Sequence, residues 1–500
     1  MGSVSSTTGA LVHRPPWWVY LLLAAVIYFP LFLHLDVLPL RIWDEARQAI
    51  NAYEMLRSGD LLVTRFYGDP EMWSTKPPLL IWFQALCYLL IGPSELALRL
   101  PVAIAALAIC YSMLRATWRH MDDPWLGIIA VLILVTTPGF IALHIARTGD
   151  FDVPLSLFML LGAFSILQWT AQGGRRPAFT FFLFLSCAVL TKSIQGLLFL
   201  PGIGLFLLAQ GKAGAFLRER GTWYGILVLL MIVAGFYLGR EASNPGYLQA
   251  VWENELGGRY ATVIEEHKGP WNFYLLRFLD HDLLPWWWLV LPGLLIGLFH
   301  QDVRIRRWTG MFGSLALTYL IIISGASTKL EWYSAPLYPV FAALAAVPIH
   351  FLFTVLFQET WTNGLLRGRV LPYILLFVVF LLPYSTTIAR VYFPKEHDWD
   401  GEIYGCAYAM QDALRTNRPF DVDAVCYDAY NAHLMFYIWR LNDRGDRVRS
   451  ISKVALKPGM KAIHSEAFVR SYIESNYTYE LESSEGPVNI YVIKGFNSVQ

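Results

Sequence analysis

The chain has 500 residues, of which 56% are hydrophobic and only 15% are charged, and its formal net charge is +1. Soluble domains carry about 25% charged residues, so this composition excludes an ordinary soluble protein. A net charge near zero gives no electrostatic reason to expect a nucleic-acid partner. Apolar runs of membrane-spanning length recur, which predicts a mainly α-helical, polytopic protein of the lipid bilayer.

Eleven apolar segments are predicted to cross the membrane, and the first is interpreted as a retained helix because no small-residue cleavage site follows it. They are 17–35, 97–117, 124–143, 153–170, 178–191, 194–210, 222–239, 284–300, 309–324, 335–356 and 370–392. Alternate loops between them are rich in arginine and lysine, and short basic loops stay on the cytoplasmic side. Eleven crossings then place the residues after 393 outside the cytoplasm.

One further apolar segment, 78–92, is too short to span comfortably, since a spanning helix needs about 20 residues. Counting it as a crossing would also move every later basic loop to the outer side, against the charge rule. It is therefore predicted to be a re-entrant or juxtamembrane helix on the outer face.

The chain changes character near residue 393, which divides it into a membrane portion, 1–393, and a predicted soluble domain, 394–500. The later part is polar and contains strand patterns at 423–427 and 488–493 and helix patterns at 431–440 and 465–476. These elements predict a small extracytoplasmic α/β domain. Cys406 and Cys426 lie in it; a disulfide is one alternative, and buried unpaired cysteines are the favoured one.

Acidic residues stand out in the predicted outer loops, of which 36–96 and 240–283 are the longest. Asp44 and Glu45 open a helix pattern in the first loop, and Asp150 and Asp152 form a DxD pattern before another helix. Helix capping is the plain interpretation, because acids favour helix N-termini. Ionisable groups near the membrane are nevertheless costly and usually functional.

Basic residues occur on the same predicted face, where positive-inside statistics disfavour them. They are Lys76, Lys192, Arg259, His267 and Lys329. Snorkelling of the side chains to lipid headgroups is the plain interpretation. Their position beside outer acids favours an anionic ligand such as a phosphate.

Six motifs follow one another in a characteristic order: WDEARxA…EMLxSGD, TKPP, RxGDxDVPL, LTK, EN…RY…HKGPWxY and KLxxYxxPxYP. In this order they resemble the bacterial transferases related to protein O-mannosyltransferases, in particular the aminoarabinose transferases that modify lipid A. The resemblance covers residues 15–345 well and the remainder loosely. It implies the GT-C fold, with about 11–13 transmembrane helices. It also implies a multi-pass enzyme of the bacterial cytoplasmic membrane that moves a sugar from a polyprenyl-phosphate carrier on the outer face.

The same resemblance implies roles for individual residues. Asp44 matches the expected catalytic base and Asp152 the second-loop aspartate, while Asp150 and Glu45 are additional catalytic candidates. Positions expected to line the donor or to hold its phosphate are matched by Arg47, Lys76, Lys192, Arg259, His267, Lys329 and Tyr333. One departure is Ser193, since the related enzymes often have Thr-Lys-Gly where this chain has Thr-Lys-Ser.

A lipid-linked donor agrees with elementary chemistry, because nucleotide sugars are not available outside the cytoplasm. Phosphate leaves as a stabilised anion, so the site needs positive charge around it and a carboxylate for the acceptor, which is a glycolipid such as lipid A, a glycan or a protein. A single displacement inverts the anomeric centre. The basic residues suffice for a monophosphate, so no cofactor is expected, and a divalent metal is possible but not favoured.

Two other classes of function remain open from the residues alone. A transporter or flippase of a lipid-linked sugar would also be polytopic with charges in the membrane, although it should show internal repeats, and none is evident. A non-catalytic protein that binds the lipid carrier is the third alternative. Retention of both acids and the basic set favours an enzyme.

Overall fold

The computed structural model describes residues 14–257, 267–358, 370–394, 396, 400–428 and 430–497. The helices of the membrane portion are α1 (Trp17–Phe32), α2 (Asp44–Ser58), α3 (Leu79–Ile91), α4 (Glu95–Met121), α5 (Pro124–Val135), α6 (Asp152–Gln172), α7 (Arg175–Lys192), α8 (Leu200–Ala209), α9 (Ala213–Arg218), α10 (Arg220–Ser243), α11 (Tyr247–Val251), α12 (Phe273–Arg277), α13 (Trp287–Leu298), α14 (Val303–Gly325), α15 (Leu337–Gln358) and α16 (Leu371–Tyr392). Short 3₁₀ turns, Ser193–Leu197 and Glu331–Ser334, and π-helical turns, Trp252–Gly257 and Phe278–Asp282, lie between them. The strands β1 (Arg65–Phe66) and β2 (Asp69–Pro70) form an antiparallel pair in the first loop.

Every segment predicted to cross the membrane contains a helix in the described residues. Within the part of the chain that the structure describes, seven helices are long and apolar enough to span a bilayer by length and composition. The segment Phe273–Asp282 with Trp287–Leu298 would make an eighth span, bent by 110°. Shorter apolar helices fill the remaining predicted spans as α1, α5 and α8, and 78–92 becomes the short helix α3. A mainly α membrane protein is thus confirmed, while the number of crossings stays a prediction.

Two predicted spans are wrong in length because local chemistry breaks their helices. The predicted span 124–143 is helical only to Val135. Thr136 and Thr137 turn their hydroxyls back onto helix carbonyls, and Pro138, which lacks an N–H donor, follows. The predicted span 194–210 is helical only from Leu200, because its start is the 3₁₀ turn. Irregular backbone at this depth is tolerated where it is buried in protein or lines a cavity.

The C-terminal part is the α/β unit that the sequence patterns predict. It contains α17 (Asp400–Arg415), α18 (Ala432–Arg444) and α19 (Ala467–Asn476), with strands β3 (Ala424–Val425), β4 (Arg449–Ser450), β5 (Lys461–His464), β6 (Tyr477–Glu485) and β7 (Val488–Phe496). The sheet order is β4-β3-β5-β7-β6, parallel across β4, β3 and β5 and antiparallel at β5-β7 and β7-β6. Helix α17 and strands β4, β5 and β6 were not predicted. Cys406 and Cys426 are both free and buried.

This unit is fastened to the membrane portion through Glu95, the first residue of α4. Glu95 is 3% exposed, and its carboxylate accepts hydrogen bonds from the Tyr437 hydroxyl at 2.7 Å and from the Gln411 amide at 2.6 Å. The Arg440 guanidinium lies 3.6 Å from the same carboxylate, and the backbone N–H of Leu40 donates to the Tyr437 hydroxyl at 3.0 Å. The C-terminal unit therefore holds the first loop in place through these hydrogen bonds.

A buried ion pair within the membrane portion also holds the first loop in place. The Arg99 guanidinium in α4 donates to both oxygens of Glu45, at 2.7 and 2.9 Å, and Glu45 also accepts from the backbone N–H groups of Arg41 and Gly149, each at 2.8 Å. Arg99 further donates to the carbonyls of Leu35, Leu38 and Pro39. Burial alone would raise the pKa of Glu45, but the Arg99 charge and these hydrogen bonds hold it below its ordinary value. Glu45 thus ties the first and second loops together.

We expect Arg99→Met to lower the free energy of unfolding by about 3–5 kcal/mol, because it leaves the Glu45 carboxylate buried and unpaired. Unfolding of the purified protein in detergent measures the loss. The matched control is Arg57→Met, whose partner Asp443 is about half exposed, with side-chain exposures of 48% and 49%. That pair should contribute less than about 1 kcal/mol. Equal losses in the two variants would contradict the role given to Glu45.

Candidate active site

An open cleft of about 270 Å³ lies where the first and second of the loops predicted to be outer meet the end of α7 and the 3₁₀ turn Glu331–Ser334. Its lining is rich in charged and aromatic side chains. The lining residues are Asp44, Gln48, Lys76, Asp150, Phe151, Asp152, Lys192, Gln195, Trp332 and Tyr333. Six of the residues predicted from the sequence therefore share one cleft, although they are spread over almost 300 positions of the chain.

The three aspartates of the cleft differ in their surroundings. Asp44 begins α2 and is half-buried, whereas Asp150 and Asp152 are each 3% exposed. Asp150 accepts hydrogen bonds from the Gln48 amide at 3.2 Å and from the Thr148 hydroxyl. Asp44 is the aspartate most open to an incoming molecule.

Burial raises the pKa of Asp150 to about 6. The nearby His144 ring works in the opposite direction, and the negative charges of Glu45 and Asp44 raise the value further. The carboxyl group of Asp150 therefore binds a proton more readily than an exposed aspartate does.

Lys192 and Asp152 form a short, buried ion pair. The Lys192 Nζ lies 2.6 Å from the Asp152 Oδ1, and the two side chains are 3% and 4% exposed. The same ammonium group lies 5.6 Å from the centre of the Tyr333 ring. The structure thus places Lys192, which ends α7, against the residue that begins α6.

Lys76 carries a second positive charge into the cleft in a different setting. Its Nζ lies 3.6 Å from the Glu255 Oε1 and 5.9 Å from the centre of the Phe151 ring. The side chain is only 8% exposed, so water screens its charge little. The cleft therefore combines two ammonium groups with three carboxyl groups.

Three residues at the cleft adopt a backbone conformation that residues with a side chain seldom adopt. Trp43, next to Asp44, has φ +72°, and His144 has φ +64°. Ser193, next to Lys192, has φ +52° and ψ −136°, a conformation that favours glycine. The departure from the Thr-Lys-Gly pattern thus falls on a position where glycine would relieve strain. Such strain concentrates at functional sites.

One group in the cleft has the chemistry to hold a metal ion. Ligand atoms of Asp44, His144 and Asp150 all lie within 4.8 Å of one another. The His144 ring stacks on Trp332, with centroids 4.4 Å apart and planes 12° apart. Two carboxylates and an imidazole suit Mg²⁺, Mn²⁺ or Zn²⁺.

Several predicted site residues lie outside the lining of the cleft. Glu45 is paired with Arg99, as described above, and both oxygens are occupied. Arg47 donates to both oxygens of Glu71, at 2.9 and 2.8 Å, and packs its guanidinium 4.2 Å from the centre of the Phe66 ring. Glu45 and Arg47 therefore stabilise the first loop through their ion pairs and do not line the cleft.

Two more predicted residues, Lys329 and His267, also lie outside the lining. The Lys329 Nζ donates to the carbonyls of Ser324 and Ala326, at 2.8 and 2.6 Å, near the C-terminal end of α14. Burial lowers the pKa of Lys329. His267 has an exposed side chain, and its carbonyl accepts from the Lys329 backbone N–H at 2.9 Å. Arg259 lies outside the described residues.

Sequence reasoning missed four residues of the lining and two residues beside it. The four lining residues are Gln48, Phe151, Gln195 and Trp332. The two beside the lining are His144, near Asp44 and Asp150, and Glu255, near Lys76. Gln48 follows Asp44 by four positions, so it shares a helix face with it, and this spacing is a signal that was available. His144 and Trp332 adjoin predicted motifs, but only the fold shows that their rings stack.

The chain is similar to several known proteins. A family model described as dolichyl-phosphate-mannose-protein mannosyltransferase matches residues 75–237. A protein of Aquifex aeolicus without an assigned function is 29% identical over 65% of this chain and 72% of its own length. An undecaprenyl phosphate-alpha-4-amino-4-deoxy-L-arabinose arabinosyl transferase of Pseudomonas fluorescens is 27% identical over 66% of this chain, and the match spans 55% of its length.

Among solved structures, ArnT from Cupriavidus metallidurans bound to undecaprenyl phosphate superposes with a TM-score of 0.69 at 17% identity, covering 95% of this chain and 97% of that one. An archaeal oligosaccharyltransferase from Archaeoglobus fulgidus gives a TM-score of 0.51 at 12% identity, covering 97% of this chain and 74% of that one. The predicted GT-C fold is therefore confirmed.

The fold defines the class: the chain has the GT-C architecture, and its named relatives are membrane glycosyltransferases. Within that class, the resemblance predicted from the six motifs is confirmed, since the chain is similar both to the arabinosyl transferases and to the mannosyltransferase family model.

Proposed function

We propose that this protein transfers a sugar from a polyprenyl phosphate to an acceptor at the outer face of the bacterial cytoplasmic membrane, with inversion at the anomeric carbon. The observation that carries the proposal is that one cleft holds a half-buried carboxylate, Asp44, together with the ammonium groups of Lys76 and Lys192. These are the groups that the reaction requires for its nucleophile and for its leaving group.

The departing phosphate is the first requirement. When the bond between the anomeric carbon and the phosphate oxygen breaks, negative charge develops on the phosphate, and nearby cations stabilise it. Lys76 supplies such a charge, and Lys192 lies in the same cleft, although paired with Asp152. Charge-assisted contacts to phosphate are stronger than neutral ones. The arrangement therefore favours departure of the polyprenyl phosphate without a proton donor.

The attacking group is the second requirement. An acceptor hydroxyl that attacks the anomeric carbon gives up its proton as the new bond forms, and Asp44 is positioned to accept it. An acceptor phosphate would attack directly, oriented by the same cleft. Attack on the face opposite the phosphate produces inversion in a single displacement.

The carrier and the acceptor are proposed from the relatives. The arabinosyl transferases are named for undecaprenyl phosphate-linked 4-amino-4-deoxy-L-arabinose, which supports undecaprenyl phosphate as the carrier here. The acceptor is a glycolipid such as lipid A, a glycan or a protein.

The direct test is transfer by the purified protein in lipid nanodiscs, supplied with radiolabelled undecaprenyl-phosphate sugars and with each class of acceptor in turn. Labelled product in one acceptor fraction, with the opposite anomeric configuration, supports the proposal. Movement of the labelled donor across sealed vesicles without transfer would instead identify a flippase.

The outer location rests on the alternation of basic loops and has its own test. We expect a cysteine introduced at Ser450, in a variant without the native cysteines, to react with an impermeant maleimide in intact cells or spheroplasts. Reaction only in inverted vesicles would overturn both the topology and the placement of the cleft.

We expect transfer to need no divalent metal, because two ammonium groups already provide the positive charge at the leaving group. Activity should therefore survive treatment with EDTA and should not rise when Mg²⁺ or Mn²⁺ is added. Loss of activity that either ion restores would contradict this. The group Asp44, His144 and Asp150 would then be the site to examine, with His144→Ala as the variant that separates metal binding from the base.

A further inference from the structure

The two lysines of the cleft are held in different ways. Lys192 donates a short, charge-assisted hydrogen bond of 2.6 Å to Asp152. Lys76 stands 3.6 Å from the Glu255 carboxylate, too far for such a bond. Both pairs are buried, so the difference does not arise from exposure to solvent. Lys192 is already committed to a close partner, whereas Lys76 is held loosely.

Glu255 is an unusual partner for a lysine in such a position. Its side chain is 2% exposed, and its Oε1, the atom nearest Lys76, has no hydrogen-bond partner among the described residues. A buried carboxylate oxygen without a hydrogen bond is costly. Glu255 also lies in the π-helical turn Trp252–Gly257, and such turns are frequent at functional sites. The pair is therefore incompletely satisfied on the carboxylate side.

The backbone on both sides of this pair is fixed by neighbouring contacts. The Tyr247 hydroxyl donates to the Thr75 carbonyl at 2.6 Å, immediately before Lys76. The Asn254 amide donates to the Met72 carbonyl at 3.0 Å, immediately before Glu255. These two hydrogen bonds hold the segment of Lys76 against the segment of Glu255. Lys76 can therefore exchange partners through motion of its side chain, with the backbone kept in place.

We propose that Glu255 is the resident counter-ion of Lys76 and that the donor's phosphate displaces it, so that Glu255 sets the affinity for the carrier and promotes its release. This inference rests on the proposed function. The sugar-linked carrier is a phosphodiester with one negative charge, whereas the released carrier is a monoester that gains further charge. Lys76 would hold the product more strongly than the donor, and the Glu255 carboxylate opposes that by reclaiming the ammonium group.

The test measures binding of undecaprenyl phosphate to the full-length protein in nanodiscs. The Glu255→Gln variant should bind undecaprenyl phosphate about tenfold more tightly, because it removes a buried negative charge 3.6 Å from the Lys76 ammonium group. Glu255→Asp, which keeps the charge, should stay within about twofold of the native protein. In a Lys76→Gln background, Glu255→Gln should have almost no effect, because the competition needs both partners.

Turnover provides a readout that a purely structural ion pair would not give. Glu255→Gln should lower KM for the donor and also lower kcat, since release of the carrier becomes slower. Tighter binding without a fall in stability supports the inference; unchanged or weaker binding overturns it and leaves the pair as packing. Glu255→Leu is a second neutral variant in case the first does not fold.

The proposed function and this inference fail in different ways. If the native protein binds no undecaprenyl phosphate and transfers no sugar, the proposed function fails. If the protein transfers sugar and Lys76→Gln leaves carrier affinity unchanged, the proposed function stands, but the inference that phosphate displaces Glu255 from Lys76 is overturned.

Discussion

Replacing Asp44 with Asn should lower turnover by about 10²–10⁴-fold, the usual contribution of a positioned base. The change keeps the size of the side chain and a residue type suited to a helix N-terminus, so the folded protein and its donor affinity should be preserved. Initial rates of transfer at saturating donor, together with carrier binding, measure the two effects separately.

The matched control for that variant is Asp36→Asn, in the same loop, where the aspartate is 54% exposed and lies 3.5 Å from Arg415. Its rate should equal that of the native protein. Near-normal transfer by Asp44→Asn would return Asp44 to the role of a helix-terminal acid. Lost donor binding with unchanged turnover of bound donor would make it a binding residue.

The second large effect is expected at the pair of Lys192 and Asp152. Lys192→Met removes the only close cationic partner that the described residues give the Asp152 carboxylate and leaves that group buried, which should cost about 3–5 kcal/mol of unfolding free energy. Transfer should also be lost. The double variant Lys192→Met with Asp152→Leu removes both charges, so it should recover most of the stability.

Activity in that double variant decides what the pair is for. A catalytic contribution predicts a stable and inactive protein, whereas a purely structural pair predicts that activity returns with stability. Lys494→Met is the control, because its partner Glu480 is 65% exposed and the pair should contribute less than about 1 kcal/mol.

The sequence predicted the charged residues that line the cleft better than the uncharged residues that complete its lining. The acids at Asp44, Asp150 and Asp152 and the lysines at Lys76 and Lys192 were found because their motifs occur in a recognisable order. The apolar runs also predicted the helices, since helix periodicity and length are local properties of a sequence.

The residues that the sequence misplaced already have partners that occupy their charged groups. Glu45 looks like a catalytic acid until Arg99, in another helix, is seen to occupy both its oxygens. Lys329 looks like a phosphate ligand, but its ammonium group caps carbonyls near the end of α14. The Glu45–Arg99 pair joins residues 54 positions apart and depends on how helices pack, whereas Lys329 bonds to carbonyls only three and five positions before it, and the course of the backbone there decides the contact.

The contacts of Glu95 with α17 and α18 make residue 393 a boundary of composition and not one of folding. A fragment that ended there would leave the Glu95 carboxylate without its hydrogen bonds from Tyr437 and Gln411. It would also lose Tyr430, whose ring stacks 4.8 Å from that of Trp43, the neighbour of Asp44. Chimeras that exchange the C-terminal unit between relatives should therefore be cut so that these contacts are kept together, because the residue next to Asp44 packs against that unit.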